Sequence, residues 1–302
     1  MRKFFILIGV IVGLTLLYFI SPKQESKIFF VGDMFFDRQI RKTMYGKGED
    51  HIFSCIGDFL KEADLVVGNL EGPVTENASV SLLSQVGAPD NFTFTFPTNI
   101  PKLLAKNNIK VVSLGNNHIG NFSKQGILST RKFLAEAGVE YFGGLSGDEP
   151  IHQTKIKGQQ ISFIAYNEFG GESKEKVAEK VKSEKEKGQT VIVYTHWGEE
   201  YAVANTNQKS KAKLFAESGA DLIVGAHPHV IQESEILKIK DGEKNREVPV
   251  YYSLGNFIFD QYWNKEVSTG LVLELNIKGD DMNIIEHKVS INRDGRTCLM
   301  GK

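Results

Sequence analysis

Two histidines flank a proline in the segment VGAHPHVIQ (224–232), directly after an apolar run and a glycine. Proline restricts the preceding residue to extended conformations, and an extended backbone directs side chains 227 and 229 to the same side. Imidazoles are common metal ligands in proteins. The spacing therefore predicts that His227 and His229 bind at one metal centre, with satisfied core histidines as the structural alternative.

Ligand-type side chains also follow five other apolar runs. Such runs are typical of strands buried on both faces, and the carboxyl ends of strands in an open α/β sheet meet in one crevice. The side chains at these ends are Asp33, Asn69, Glu71, Asn116, Asn117, His118, His196, Glu199 and Asn256. We expect them to converge with the histidine pair.

The chemistry of this set indicates a divalent metal. Carboxylate, carboxamide and imidazole groups suit Mn, Fe, Zn, Mg or Co. Two-metal centres hold ions about 3.5–4 Å apart and clamp the oxygens of a phosphoryl transfer. We therefore predict one or two ions. The groups predicted to orient ligands or contact substrate are Asn69, Asn116, Glu199 and Asn256. Their structural alternatives are turn positions and, for Glu199, the start of a helix.

The elements that position these groups alternate between strands and helices. Apolar strands and helix-forming stretches follow one another from residue 27 to about residue 226, and a strand-rich tail comes after them. This order predicts an α/β core with a second, antiparallel sheet. The longest loop-like stretch, 72–97, is predicted to be a lid or an insertion.

Composition excludes several functional classes. The chain has 302 residues, of which 41% are hydrophobic and 24% charged, as in globular proteins. A formal net charge of −1 provides no basic field for binding nucleic acid. Cys55 and Cys298 allow one disulfide in an oxidising compartment, but no disulfide framework.

The N-terminal segment predicts membrane attachment. Arg2 and Lys3 precede an uncharged, mostly apolar run from Phe4 to Ile20, which approaches the thickness of a bilayer. Cations before the run keep the N-terminus cytoplasmic. We predict a single-pass signal anchor over residues 1–26 and one domain over residues 27–302 on the extracellular side of the cell membrane. A cleaved signal peptide is the alternative, although no small-residue cleavage pattern follows the run.

The motifs resemble those of a known family. In chain order they are VGDMFFDR, GNLEGPV, LGNNHIGNFSKQG, THWGEEY, VGAHPHVIQ and YSLGNFIFDQ, within residues 27–260 or so. Together they resemble the CapA-type poly-γ-glutamate capsule biosynthesis family, which is similar to the calcineurin-like metallophosphoesterases. The resemblance implies a four-layer α/β/β/α sandwich of the calcineurin-like metallophosphoesterase type, with the site at the carboxyl ends of the strands.

The resemblance also implies roles for the matching residues. The implied metal ligands are Asp33, Glu71, Asn117, His196, His227 and His229. Asn69 is the alternative to Glu71 at the position that bridges two ions. Asn117 and His118 are the implied catalytic residues, and His118 would protonate the leaving group of a phosphoester.

Two departures from these patterns bear on function. Phe35 stands where metallophosphoesterases carry a histidine ligand, which leaves one metal position a ligand short. Asn121 stands where the capsule family carries an aspartate after its Asn-His pair.

By resemblance, the protein is a membrane-anchored extracellular component of poly-γ-glutamate capsule or polymer biosynthesis with a metallophosphoesterase-like metal site. The implied partners are the cytoplasmic membrane, other subunits of a poly-γ-glutamate synthase complex, and an anionic polymer or phosphoester substrate, but no nucleic acid. Two alternatives remain open at this point. One is a metal-dependent phosphoester hydrolase unrelated to capsule, and the other is a non-catalytic subunit that binds a polyanion.

Overall fold

The computed structural model of the protein describes residues 24–242 and 244–301. The predicted membrane segment, Phe4 to Ile20, lies outside these ranges. Within them, no helix combines the length and the hydropathy that crossing a bilayer requires. The chain folds into a mixed α/β structure with two sheets, which confirms the predicted α/β class.

The first sheet has eight strands and contains the strands that end at Asp33 and Asn69. Its strands are β1 (Ser26–Met34), β2 (Leu65–Leu70), β3 (Ile109–Ser113), β4 (Glu140–Phe142), β11 (Asn256–Ile258), β12 (Thr269–Lys278), β13 (Asp281–Ile291) and β14 (Thr297–Leu299). The main path runs β14-β13-β12-β1-β2-β3-β4, and β11 also pairs with β1. The run from β1 to β4 is parallel, so the carboxyl ends of these strands share one edge.

The second sheet has six strands and contains the strands that precede His196 and His227. Its strands are β5 (Ile151–Ile156), β6 (Gln159–Asn167), β7 (Thr190–His196), β8 (Leu222–Ala226), β9 (Ser234–Asp241) and β10 (Lys244–Tyr251). The order is β5-β6-β7-β8-β10-β9. Only the outer strands β5 and β9 pair antiparallel, whereas β6, β7, β8 and β10 are parallel.

The prediction of a second, antiparallel sheet was therefore wrong. The strand-rich tail divides between the two sheets: β9 and β10 extend the second sheet, whereas β11 to β14 join the first. Within the first sheet, β12 pairs antiparallel with the edge of β1 that β2 leaves free. At Asp33 the partner of β1 changes from β12 to β11, whose Asn256 pairs directly with Asp33. A Cβ on Gly32 would lie 1.8 Å from the carbonyl oxygen of Gly255. Only glycine permits this approach, which brings the two motifs together.

Two apolar cores hold helices against the outer faces of the two sheets, and a further core lies between the sheets. The helices are α1 (Arg38–Lys47), α2 (Gly57–Leu60), α3 (Ile100–Lys106), α4 (Ser123–Glu136), α5 (Lys174–Glu186) and α6 (Thr206–Ser218). One core joins α1 to α4 with the first sheet, a second lies between the sheets, and a third joins α5 and α6 with the second sheet. The layers thus follow the order helix, sheet, sheet, helix.

The segment 72–97 contains little regular structure. It includes two short 3₁₀ helices, Ser81–Leu83 and Pro89–Phe92, and lies beside the end of β1 through contacts made by Arg38. Elsewhere, a disulfide joins Cys55, which precedes α2, to Cys298 in β14. The sequence allowed this pairing, and the fold brings the two Cα atoms to 4.8 Å.

Candidate metal centre

The carboxyl ends of β1, β2, β7 and β8 meet at one place between the two sheets. They bring together Asp33, Asn69, Glu71, His196, His227 and His229, all of which are buried. Asn116 and Asn256 are buried against the same group, and Asn117 contacts it through His196. The convergence expected from the strand ends is thus present in the structure for these residues.

Both carboxylate oxygens of Asp33 accept hydrogen bonds within this cluster. Its Oδ1 accepts a hydrogen bond from Asn69 Nδ2 at 2.8 Å, and its Oδ2 accepts one from the backbone N–H of His227 at 3.0 Å. Burial alone would raise the pKa of Asp33. The neighbouring imidazoles of His229 and His196, together with the Asn69 amide, outweigh burial and hold this pKa well below its ordinary value. Asp33 is therefore an anion.

Glu71 is fully buried and poorly paired. Its Oε2 receives only a 3.4 Å contact from Asn69 Nδ2, and its Oε1 has no hydrogen-bond partner among the described residues. Burial, and then the charge of Asp33, raise the pKa of Glu71 well above the usual range. A buried carboxyl oxygen without a donor costs about 1–3 kcal/mol. Such a group indicates that a cation belongs beside it.

His229 is oriented by Asn256. The Nδ2 of Asn256 donates to the backbone carbonyl of Val267 at 2.9 Å and to Gln261 Oε1 at 3.0 Å. Its Oδ1 is therefore the acceptor for His229 Nδ1–H at 2.9 Å. The lone pair of His229 therefore lies on Nε2. Nε2 is 3.5 Å from the unpartnered Oε1 of Glu71. This contact orients the His229 ring.

Asp33, Glu71 and His229 form a group that fits a metal ion. Each offers one ligand atom, and these atoms lie within 4.8 Å of one another. Two ligands about 2.1 Å from one tetrahedral ion lie roughly 3.4 Å apart, close to the 3.5 Å between Glu71 and His229. Phe35 has no ligand atom in its side chain, and its ring packs against Phe259 and Phe94.

The other half of the cluster is built around His196. Its Nε2 lies 2.9 Å from Asn117 Oδ1, and its Nδ1 lies 3.3 Å from Asn69 Nδ2. The ring centre of His227 lies 4.8 Å from that of His196, and the buried Nδ1 of His227 has no hydrogen-bond partner within the part of the chain that the structure describes. Burial lowers the pKa of His196 well below the ordinary value and that of His227 to about 4. Both imidazoles are therefore neutral near pH 7.

The backbone at the histidine pair is not extended. His227 has a φ of 96° and His229 a φ of 58°, so the prediction that Pro228 aligns two extended residues was wrong. The chain turns through the left-handed region at both positions, which costs energy for residues other than glycine. This turn separates the two ring centres by 6.0 Å. It also directs the His227 N–H to Asp33.

His118 lies at the edge of the centre and is partly buried. Asn121 Oδ1 accepts from the backbone N–H of Phe94 and lies 3.2 Å from His118 Nδ1. Nδ1 therefore carries the proton, and Nε2 is left as an acceptor. Burial lowers the pKa of His118 to about 4, against the opposing effect of Asn121. His118 is therefore a neutral imidazole near pH 7.

The structure does not bring Glu199 into the cluster. Glu199 is exposed, and the residue of its loop that approaches the centre is Tyr201, whose ring lies 6.0 Å from that of His229. Gln261, which sequence reasoning missed, donates from Nε2 to the Tyr201 hydroxyl at 2.9 Å and accepts from Asn256. Its place in the motif YSLGNFIFDQ was the available signal.

Arg38 was also missed. Its guanidinium carbon lies 4.5 Å above the Phe35 ring, and its Nη1 donates to Asn91 Oδ1 in segment 72–97 at 3.3 Å. Nε and Nη2 bind both oxygens of Asp260 at 3.1 and 2.5 Å. Arg38 has a φ of 44°, a strained value for a residue with a side chain. It places a fixed cation beside the rim of the centre, and a charged residue directly after FFD was its only sequence signal.

The chain is similar to bacterial capsule synthesis proteins. The family model described as "Bacterial capsule synthesis protein PGA_cap" matches residues 27–261. The chain is 28% identical to "Capsule biosynthesis protein CapA" of Bacillus anthracis over 271 residues, which are 82% of this chain and 63% of the relative. It is 29% identical to "PGA biosynthesis protein CapA" of Bacillus subtilis (strain 168) over 262 residues, which are 80% of this chain and 66% of that relative.

In both cases the chain spans a little under two thirds of the relative's length. The family model, in contrast, covers most of this chain, from the first residues of β1 to the end of the YSLGNFIFDQ motif. The matched range includes every residue of the metal centre described above. The protein therefore belongs to the bacterial capsule synthesis protein family PGA_cap.

Proposed function

We propose that this protein acts in the synthesis of a poly-γ-glutamate capsule, and that it binds the carboxylate groups of the polymer through a divalent ion. The observation that carries the proposal is the buried group of Asp33, Glu71 and His229, in which no donor from residues 24–242 or 244–301 reaches Glu71 Oε1. Family membership supports the process. The identity of the polymer is supported by the name of one relative, which is called a PGA biosynthesis protein.

Each residue of the centre has a specific task in this proposal. Asp33, Glu71 and His229 hold the ion, and Asn256 keeps the lone pair of His229 on Nε2. A bound Mn, Fe, Zn or Mg ion would supply a Lewis acid that attracts a carboxylate or phosphate oxygen. Arg38 places a second positive charge next to the rim, where part of that charge is balanced by Asp260.

Polymer handling is favoured over phosphoester hydrolysis by the state of His118. General acid catalysis requires a proton to give to the leaving group. The pKa of His118 is lowered to about 4 by burial, and a neutral amide, Asn121, takes the place of the aspartate expected in this family. A metal-dependent phosphoester hydrolase is the second candidate, because the neutral imidazoles of His196 and His227 lie beside the same centre.

The proposed location is the outer face of the cell membrane. The predicted anchor over residues 1–26 is one reason, and the disulfide between Cys55 and Cys298 is another, because disulfides persist in oxidising compartments. The proposed partners are the membrane and other subunits of a poly-γ-glutamate synthase complex.

The test is polymer binding by the full chain, purified in detergent. Binding of poly-γ-glutamate is measured by calorimetry with chelator and with added Mn²⁺, for the wild type, His229→Ala and the matched surface variant Glu199→Gln. We expect Mn²⁺-dependent binding in the wild type and Glu199→Gln, but not in His229→Ala. Binding that is independent of metal and of His229 would contradict the proposal. Phosphodiester turnover by the same samples would favour the hydrolase.

A further inference from the structure

One buried amide, that of Asn69, lies between the two halves of the centre and has a fixed orientation. The chain of contacts that fixes it begins at the backbone. The N–H of His118 donates to Asn116 Oδ1 at 3.0 Å, and Asn116 Nδ2 donates to the carbonyl of Leu70 at 2.8 Å. A backbone N–H only donates and a carbonyl only accepts. The two ends of the Asn116 side chain therefore cannot be exchanged.

Asn116 in turn fixes the orientation of the side-chain amide of Asn69. The second proton of Asn116 Nδ2 is donated to Asn69 Oδ1 at 3.1 Å, so the NH₂ group of Asn69 faces the centre. This NH₂ lies 2.8 Å from Asp33 Oδ1, 3.4 Å from Glu71 Oε2 and 3.3 Å from His196 Nδ1. Three acceptors thus surround two protons. Asn69 occupies the middle of the cluster as a donor and has no lone pair to give to a metal there.

The donor at Asn69 also determines the state of His196. Because Nδ1 faces the Asn69 NH₂, Nδ1 accepts, and the ring proton of neutral His196 lies on Nε2. Nε2–H then donates to Asn117 Oδ1 at 2.9 Å. Both nitrogens of His196 are committed to hydrogen bonds, so His196 and Asn117 satisfy each other without an ion.

We propose that the centre holds a single divalent ion on Asp33, Glu71 and His229, and that the inward amide of Asn69 keeps a second ion from binding at His196. The inference rests on the metal site of the proposed function. A carboxylate at position 69 would allow a second ion to bind, because it could bridge two ions and would no longer donate to His196. Asn69→Asp changes one NH₂ group to oxygen and adds no bulk.

The test is the number of ions per chain. The full chain is dialysed to equilibrium against Mn²⁺, and its metal content is measured by mass spectrometry. Electron paramagnetic resonance of the bound Mn²⁺ then distinguishes isolated ions from spin-coupled pairs. We expect one isolated ion in the wild type and in His196→Ala. We expect two spin-coupled ions in Asn69→Asp. Asn121→Asp is the matched control, because it makes the same chemical change at the edge of the centre and not between Asp33 and His196. This variant should retain one ion.

Two ions in the wild type, falling to one in His196→Ala, would overturn the inference and leave the proposed metal site intact. A folded Asn69→Asp protein with a single ion would also overturn it, and circular dichroism establishes the folding. No ion in the wild type would overturn the proposed metal site together with the inference. Because the wild-type count is informative by itself, the test does not depend on the stability of any variant.

Discussion

Replacing Glu71 with glutamine separates the two roles that this side chain could have. Glutamine keeps the volume and the buried position but removes a carboxylate ligand. The raised pKa of Glu71, caused by burial and by Asp33, means that the metal-free protein already holds this group largely in its neutral form. Its Oε1 has no donor in the structure, so no paired contact is lost. We expect the unfolding free energy of metal-free Glu71→Gln to lie within about 1 kcal/mol of the wild type.

With metal present, the two proteins should differ. A ligand that binds only the folded state stabilises it by about 2.7 kcal/mol when its concentration is 100 times the dissociation constant. The wild type should show this gain in Mn²⁺ or Zn²⁺. Glu71→Gln should show little or none at the same concentration, because one of three ligands is gone.

The assay is urea unfolding followed by circular dichroism, with chelator and with metal. Glu199→Gln serves as the matched control, since Glu199 is exposed and should behave as the wild type does. A Glu71→Gln protein that gains as much from metal as the wild type would refute the ligand assignment. A loss of more than about 3 kcal/mol in chelator would instead show that the charge of Glu71 stabilises the fold itself.

Three further outcomes are expected. Replacing Cys55 and Cys298 with serine should cost roughly 5 kcal/mol in the chain-entropy model, because the disulfide closes a loop of 243 residues; equal urea midpoints would contradict this. Metal-free protein should lose stability as the pH falls from about 6.5 to 4. In this pH range the unfolded state binds a proton at residue 227, whereas folded His227, with a pKa of about 4, does not. The free energy of unfolding should therefore be roughly 3 kcal/mol lower below pH 4. Urea titrations should show this slope reduced in His227→Gln. Asn121→Asp should raise the pKa of His118 from about 4 by placing a carboxylate beside Nδ1; an unchanged NMR titration would contradict the contact.

The strand ends were the strongest signal in the sequence. Asp33, His196 and His227 each follow an apolar strand, and parallel strands place such residues at one edge. The sheet that the C-terminal strands join could not be predicted in the same way. Their alternation shows that they pair antiparallel, but not which sheet offers a free edge. That edge belongs to β1, as the pairing of β1 with β12 shows.

The finer geometry of the centre depends on contacts between distant parts of the chain. The left-handed turns at His227 and His229 are set by the Asp33 and Asn256 contacts, against the local preference for extended backbone before proline. The inward direction of the Asn69 amide depends on Asn116, 47 residues away. Their positions after apolar strands predicted that these residues converge, whereas their donor and acceptor roles required the fold.

The most direct test of the account is anomalous diffraction from crystals of the protein soaked with Zn²⁺, recorded at the zinc edge. The account predicts one anomalous peak, within about 2.2 Å of a carboxylate oxygen of Asp33, of Glu71 Oε1 and of His229 Nε2. A crystal with no peak among these three residues, or with the only peak elsewhere, would contradict the claim that they form the metal centre.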